Sequence, residues 1–331
     1  MDRWFDAHLD LAYLAVCGRD LRAPVDRCGG PHLPAAICFP TLAASGVRAC
    51  LATIFCEPGD HSPTAATYPP GDAEAAHAAG LRQIEQYRAW SEDGTLPLGL
   101  ARAREVPLRA GILMEGADPI RTPEELPWWK DRGVLAVGLA WVKASRYAGG
   151  NSTDLGLTPP GRALVRGIDA LDLVHDVSHL CDRSLEELLA LTPRPVMASH
   201  SNCRALLDGR NQRHLTDAAI REIARRGGVV GLNLFSRFLR PGLDEAGRAG
   251  IDDCLRHVEH VCDLVGHRRA VGLGSDMDGG FSAARLPQGI DRPVHLERLA
   301  EALAARGWDA QDIAGFRWGN WARFFGLVVA E

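Results

Sequence analysis

Six side chains in this sequence combine metal-ligand chemistry with regular placement: His8, Asp10, Glu115, His179, His200 and Asp276. Each lies at or near the end of a short apolar run: FDAHLDL (5–11), AGILMEG (110–116), LDLVHDVSH (171–179), PVMASHS (195–201) and AVGLGSDMD (270–278). Asp6, His8 and Asp10 alternate at period two and therefore share one side of their strand. Burying an unpaired carboxylate is strongly unfavourable. Three imidazoles and several carboxylates converging on one place need a cation to balance them. Imidazole with carboxylate suits Zn²⁺, and also Mn²⁺ or Fe²⁺. Two such ions about 3.5–4 Å apart lower the pKa of a bridging water, and one polarises a scissile carbonyl. Asp276 is then placed to take the water's proton and hand it to a leaving amine.

Each residue alone has a plainer role. A single histidine at a strand end is more often a hydrogen-bonded structural residue, Glu115 could pair with an arginine, and Asp276 could cap the next helix. The joint pattern carries the reading. Other suggestive residues read as structural: His175 as a polar core contact, His257 and His260 as a solvated helix face, Trp318 and Trp321 as packing.

The elements that must position these groups alternate along the chain. Strand-like runs at 5–11, 47–55, 110–116, 134–141, 171–179, 195–201, 228–235 and 270–278 make eight. Several are continuously apolar, as parallel strands buried on both faces require. Segments of helical period lie between them, at 73–91, 251–266, 294–306 and 309–317 among others. Thr122-Pro123-Glu124-Glu125 and Ser184-Leu185-Glu186-Glu187 predict capped helix starts. Leu215-Thr216-Asp217 opens a helix that ends before Gly227-Gly228. Eight βα units in series predict an α/β fold, a (β/α)8 TIM-type barrel forming a single domain over 1–331. No G-x-G-x-x-G follows the first strand, which argues against a dinucleotide site. Long connections at roughly 17–38, 56–72, 142–157, 236–250 and 279–293 all follow strands, so they should cover the catalytic mouth.

Bulk properties exclude other classes. The chain has 331 residues, 46% of them hydrophobic, which allows a large core. The 37 basic and 42 acidic residues are well mixed, for a net charge of −5, with no basic stripe for nucleic acid. No apolar run reaches the roughly 18 residues that span a bilayer, and no leader pattern opens the chain. Nine cysteines without a C-x-x-C pair predict free thiols and a cytoplasmic protein rather than a disulfide or thiolate-zinc scaffold.

Longer strings carry a resemblance. GLTPPGRALVRGIDALDLVHDVSHL, PVMASHSNCRAL, RHLTDAAIREIARRGGVVGLNLF, VGLGSDMDGG and WGNWARFFG resemble the membrane (renal) dipeptidase family, peptidase family M19 of the amidohydrolase superfamily. The resemblance runs over nearly the whole chain. It implies a metallo-dipeptidase with two divalent ions, expected to be Zn²⁺, acting on short peptides with a free C-terminal carboxylate. His8 and Asp10 match the family's first-strand ligands, Glu115 its bridging glutamate, and His179 and His200 the ligands of the second metal. Asp276 matches the proton-shuttling aspartate. Arg213 matches the arginine that binds the substrate carboxylate, with Arg210 as a second candidate. The resemblance also implies a homodimer.

One position departs. The family's fourth strand ends in Leu-Thr-His, whose histidine contacts substrate near the developing oxyanion, whereas this chain reads Leu139-Ala140-Trp141. An indole N–H donates a hydrogen bond but carries no charge. Loss of an oxyanion donor costs roughly 10²–10³ in rate. Trp141 therefore points to bulkier or more apolar substrates than plain dipeptides. The alternatives are an amidohydrolase acting on N-acyl amino acids, lactams or modified dipeptides, and a metal-holding protein without activity. Retention of Asp276 argues against the last.

Overall fold

A computed structural model describes residues 3–59, 64–101 and 108–327. Eight strands form the main sheet, in chain order β1 (Trp4–Leu9), β2 (Val47–Phe55), β3 (Arg109–Glu115), β4 (Val134–Gly138), β5 (Val174–Asp176), β6 (Val196–Met197), β7 (Val230–Leu232) and β8 (Val271–Leu273). All pair in parallel in the order β6-β5-β4-β3-β2-β1-β8-β7. A bridge between Ala198 and Val230 brings the two edges together. There the Ala198 N–H donates to Val229 O at 3.0 Å and the Gly231 N–H to Ala198 O at 2.8 Å. The expected (β/α)8 barrel is the observed fold.

The later strands are shorter than the apolar runs that contain them. β5 stops three residues before His179, and β8 three before Asp276. His179 and Asp276 hold φ of 66° and 58°, in the left-handed region, so they cannot extend a strand. The polar residues leave the ladder in order to reach the mouth.

One apolar cluster gathers Phe5, Ala7, Leu51, Leu113 and Met197 from the strands with Trp318 and Trp321 from the C-terminal segment. The Trp321 indole donates to Leu273 O at 2.9 Å, which ties that segment to β8. A larger cluster packs the remaining strand residues against the helices. The helices start much as the sequence predicts. Thr216 accepts from the Ala219 N–H at the head of Asp217–Arg225, and Gly266, at φ 73°, ends Ile251–Val265. The 309–317 segment is a helix Ala310–Ala314 followed by a π-helical turn Gly315–Gly319.

One predicted cap is corrected, and the other holds its position, with Pro123 first, but lacks its side-chain bond. The helix after β5 starts at Asp182 with Cys181 at its cap. Ser184 lies inside it and spends its hydroxyl on Leu155 O and the Gly149 N–H instead. Thr122 makes no side-chain cap bond, and Pro123–Glu125 forms a 3-10 turn ahead of Leu126–Lys130.

The first long connection is locked down by a buried ion pair between Arg19 and Asp278. Arg19 also donates to the carbonyls of Gly29, Pro31 and Ile37. The Asp278 carboxylate accepts from the Ala36 and Ile37 N–H groups at 2.9 Å each. This places the 17–38 loop across the end of β8.

Strands β6, β7 and β8 approach closely beneath His200. A Cβ on Gly274 would lie 1.8 Å from Ser199 O, and one on Gly231 1.9 Å from the same atom. Both contacts are with backbone, which cannot step aside as a side chain can. Gly274→Ala should therefore cost at least about 2 kcal/mol of stability. A lowered denaturant midpoint at unchanged slope checks it; an unmoved midpoint would show that the strands have room.

Candidate metal centre

Glu115, the last residue of β3, sits at the middle of the cluster. Its Oε2 lies 3.3 Å from His8 Nε2. Its Oε1 lies 3.2 Å from His179 Nε2 and 3.4 Å from His200 Nε2. The two oxygens thus face different partners. On the Oε2 side, His8 Nε2 is 3.6 Å from Asp10 Oδ1 and 4.0 Å from Asp276 Oδ1. On the Oε1 side, the two histidine Nε2 atoms are 3.1 Å apart. Two overlapping sets have spacing fit for an ion: His8, Glu115 and His200, and His8, Asp10 and Asp276. All six residues are buried.

Hydrogen bonds behind the cluster assign its tautomers. Ser199 Oγ lies 2.6 Å from Asp176 Oδ2, and a carboxylate only accepts, so the single hydroxyl proton goes there. Ser199 must then accept from His200 Nδ1 at 2.7 Å and from His8 Nδ1 at 3.3 Å. His179 Nδ1 donates in the same way to Asn151 Oδ1 at 2.9 Å. All three rings therefore turn Nε2 toward Glu115, and His8 Nε2 is buried without a hydrogen-bond partner. Converging imidazole nitrogens and carboxylates are the donor set of a divalent cation, held by outer partners as metal histidines usually are. Thr53 Oγ1 bonds Asp10 Oδ1, and Asn233 Nδ2 donates to Asp276 Oδ2 at 2.8 Å.

The charges agree. Burial works against charging His8, yet Glu115 and Asp10 lift it well above the ordinary imidazole range. Burial would likewise raise Glu115, but the three histidines, His8 foremost, hold it well below the carboxylate range. Burial, with Arg213 next, drives His179 down to about 4. Burial lifts Asp276 well above its usual range, and Asp10 and Glu115 add to the effect. The pocket as a whole asks for positive charge. The left-handed backbone at His179 and Asp276 is sparsely populated by such residues and fits groups aimed for function. Gly279 accommodates Asp276, since a Cβ there would fall 1.8 Å from its Oδ1.

The remaining sequence candidates separate. Arg213 is 3% exposed. Its guanidinium donates to Ser201 Oγ at 3.0 Å and His200 O at 2.7 Å, leaving Nε without a partner. Burial lowers its pKa, against the pull of Asp276 and Glu115. Arg210 stays exposed on the preceding loop. Trp141 lies against the His179 ring, centroids 6.1 Å apart. Asp6 stays out of the cluster and bonds Ser275 and the His8 N–H instead. His175 is a core residue bonded to Asp169 at 2.8 Å, as expected. His257 is not on a solvated face. It is 2% exposed, takes the Cys203 N–H at 3.1 Å and bonds Leu239 O. His260 pairs with Asp217. Asp176, Ser199, Asn151 and Asn233 escaped sequence reading. Strand-end positions beside the ligands could have flagged Asp176, Ser199 and Asn233, whereas Asn151 lies on a long connection.

Because Ser199 orients two histidines at once, Ser199→Ala should lower metal affinity about 10–100-fold in a folded protein. Competition with a chelator checks this. Unchanged affinity would mean that ring packing alone sets the tautomers.

Comparison with known proteins adds the family. The model of "Membrane dipeptidase (Peptidase family M19)" matches residues 3–330. An uncharacterized protein in the pqqA 5′ region of Klebsiella pneumoniae is 32% identical over 199 residues, 58% of this chain and 71% of that protein. The chain spans 46 to 71% of the length of this and three other curated relatives that it matches. The solved metallopeptidase dipeptidase AC, of family M19, is 26% identical with a TM-score of 0.81, over 97% of this chain and 96% of that one. A Rhodobacter sphaeroides metallopeptidase, solved with a phosphinate mimic of L-Ala-D-Ala, is 25% identical with a TM-score of 0.83, over 98% and 99%. Among the described residues no helix is long and apolar enough to cross a membrane. With its barrel, its divided Glu115 and a family match over residues 3–330, this chain belongs to the membrane dipeptidase family, peptidase family M19.

Proposed function

We propose that this chain is a zinc-dependent dipeptidase with two ions, cleaving the amide of a short peptide that has a free C-terminal carboxylate. The observation that carries the reading is the division of Glu115, one oxygen toward His8 and Asp10, the other toward His179 and His200. Two divalent ions there would supply a water acidified to near-neutral pKa and a polarised carbonyl. His8 and Asp10 would hold one, His179 and His200 the other, with Glu115 between. Asp276 takes the proton from the attacking water and returns it to the leaving amine; Asn233 holds its carboxylate in place. Arg213 binds the substrate carboxylate. Its buried fork is fixed by Ser201 and His200 O, so little side-chain freedom is lost on binding. A second reading, hydrolysis of N-acyl amino acids, lactams or modified dipeptides on the same centre, is favoured by Trp141 where the family has a histidine.

Metal content measured beside hydrolysis of a mixed L,L and L,D dipeptide library tests the proposal. Two zinc ions per chain with cleavage supports it; two ions without cleavage leaves the second reading. Asp276→Asn should lower kcat by about 10²–10⁴ at unchanged metal content, and near-normal turnover would remove Asp276 from proton transfer. Arg213→Met should raise KM roughly 10- to 100-fold with a smaller change in kcat, the scale of a lost charge-assisted hydrogen bond. An unchanged KM would assign the carboxylate elsewhere.

A further inference from the structure

The metal centre is walled on one side by aromatic rings. Trp141, beyond the end of β4, lies against His179. The Phe55 ring, at the end of β2, is 5.0 Å from Trp141 and 5.2 Å from Tyr13. Tyr13 belongs to the short helix Leu11–Val16 that follows Asp10, and its ring stacks on His32 at 6.4 Å and 13°. Phe55 and Tyr13 are 7% and 8% exposed, whereas Trp141 and His32 are half-buried. The wall carries no formal charge: burial keeps the His32 imidazole below its ordinary range, against the pull of Asp10.

Its position around the barrel gives it a direction. Phe55 ends β2, and Arg213 follows β6. In the ring of eight strands these two are diametrically opposite, with the Glu115 cluster between them. A dipeptide whose carboxylate rests on Arg213 must cross the centre to present its scissile carbonyl. Consecutive Cα atoms are 3.8 Å apart, so its amine-side residue then lies on the side of the cluster away from Arg213, toward the wall. No carboxylate side chain belongs to the wall, and the Trp141 indole stands at its inner end beside His179.

We propose that His32, Tyr13, Phe55 and Trp141 form the pocket for the amine-side side chain of the substrate, and that this pocket selects aromatic and large apolar residues. This inference rests on the dipeptidase reading and names its substrate class. Trp141 is the specificity-determining residue, because it is the half-buried ring that also touches a metal histidine. Burial of a benzyl group against such a wall is worth roughly 10- to 100-fold over a hydrogen atom.

The zinc-loaded full chain would be assayed on Gly-Ala, Ala-Ala, Leu-Ala and Phe-Ala. In parallel, calorimetry would compare two phosphinate dipeptide mimics that carry benzyl or methyl on the amine side. Phe-Ala should exceed Gly-Ala by at least about 10-fold in kcat/KM, and the benzyl mimic should bind tighter by a similar factor. Trp141→Ala should shrink both ratios at least fivefold, on the order of a lost ring contact, and Trp141→Phe should retain most of them. A flat wild-type preference, or ratios unmoved in Trp141→Ala, overturns the pocket while peptide cleavage leaves the dipeptidase reading intact. If no peptide is cleaved, that reading fails and the mimics decide alone: tighter benzyl binding keeps the pocket, equal binding overturns it.

Discussion

The mouth of this barrel is organised by an electrostatic demand. Glu115, Asp10 and Asp276 are buried beside three imidazoles whose Nε2 atoms point inward. Such a set is stable only around positive charge. Much else in the structure serves it: the strands that stop early, the left-handed turns at His179 and Asp276, and the glycine left at 279 so that Asp276 has room. Glu115 and Asp10 together lift His8 well above the ordinary imidazole range, against its burial.

The rigidity needed to hold these groups comes from a few hydrogen bonds with little freedom. Asp176 accepts from Ser199 Oγ and from the backbone N–H groups of Ser178 and Ser199. That one carboxylate thus anchors the ends of β5 and β6 and, through Ser199, the orientation of His8 and His200. Asp6 does the same between β1 and β8 through Ser275 and the His8 N–H. Structure and chemistry share residues here, so a substitution at Asp176 would be felt as both lost stability and lost metal affinity.

The eight strands and most helices were legible because buried parallel strands leave apolar runs, and helices leave caps and periodicity. The six metal-cluster residues were legible for a related reason: each is a polar residue at an apolar strand end. The supporting residues were not. Asn151 reaches His179 from a connection 28 residues upstream, and nothing in its neighbours marks it. Periodicity also misled at His257. A histidine on a helix reads as solvated unless one knows that the Cys203 amide and the Leu239 carbonyl wait there for its two nitrogens. Ser184 failed as a cap because the helix starts two residues earlier and its oxygen accepts from a tertiary donor, the Gly149 N–H. Arg210 and Arg213 differ by three positions, and only the loop's path decides which one turns inward.

The lock between Arg19 and Asp278 joins residues 259 positions apart. Its counterpart between Asp6 and Ser275 spans 269. A chain emerging from the ribosome therefore carries both halves of the mouth unjoined until its last βα unit appears. The mouth as the structure shows it is complete only once that unit is in place. A copy stalled before residue 275 would have Glu115 and its histidines but no Asp276 beside them and no clamp on the first loop.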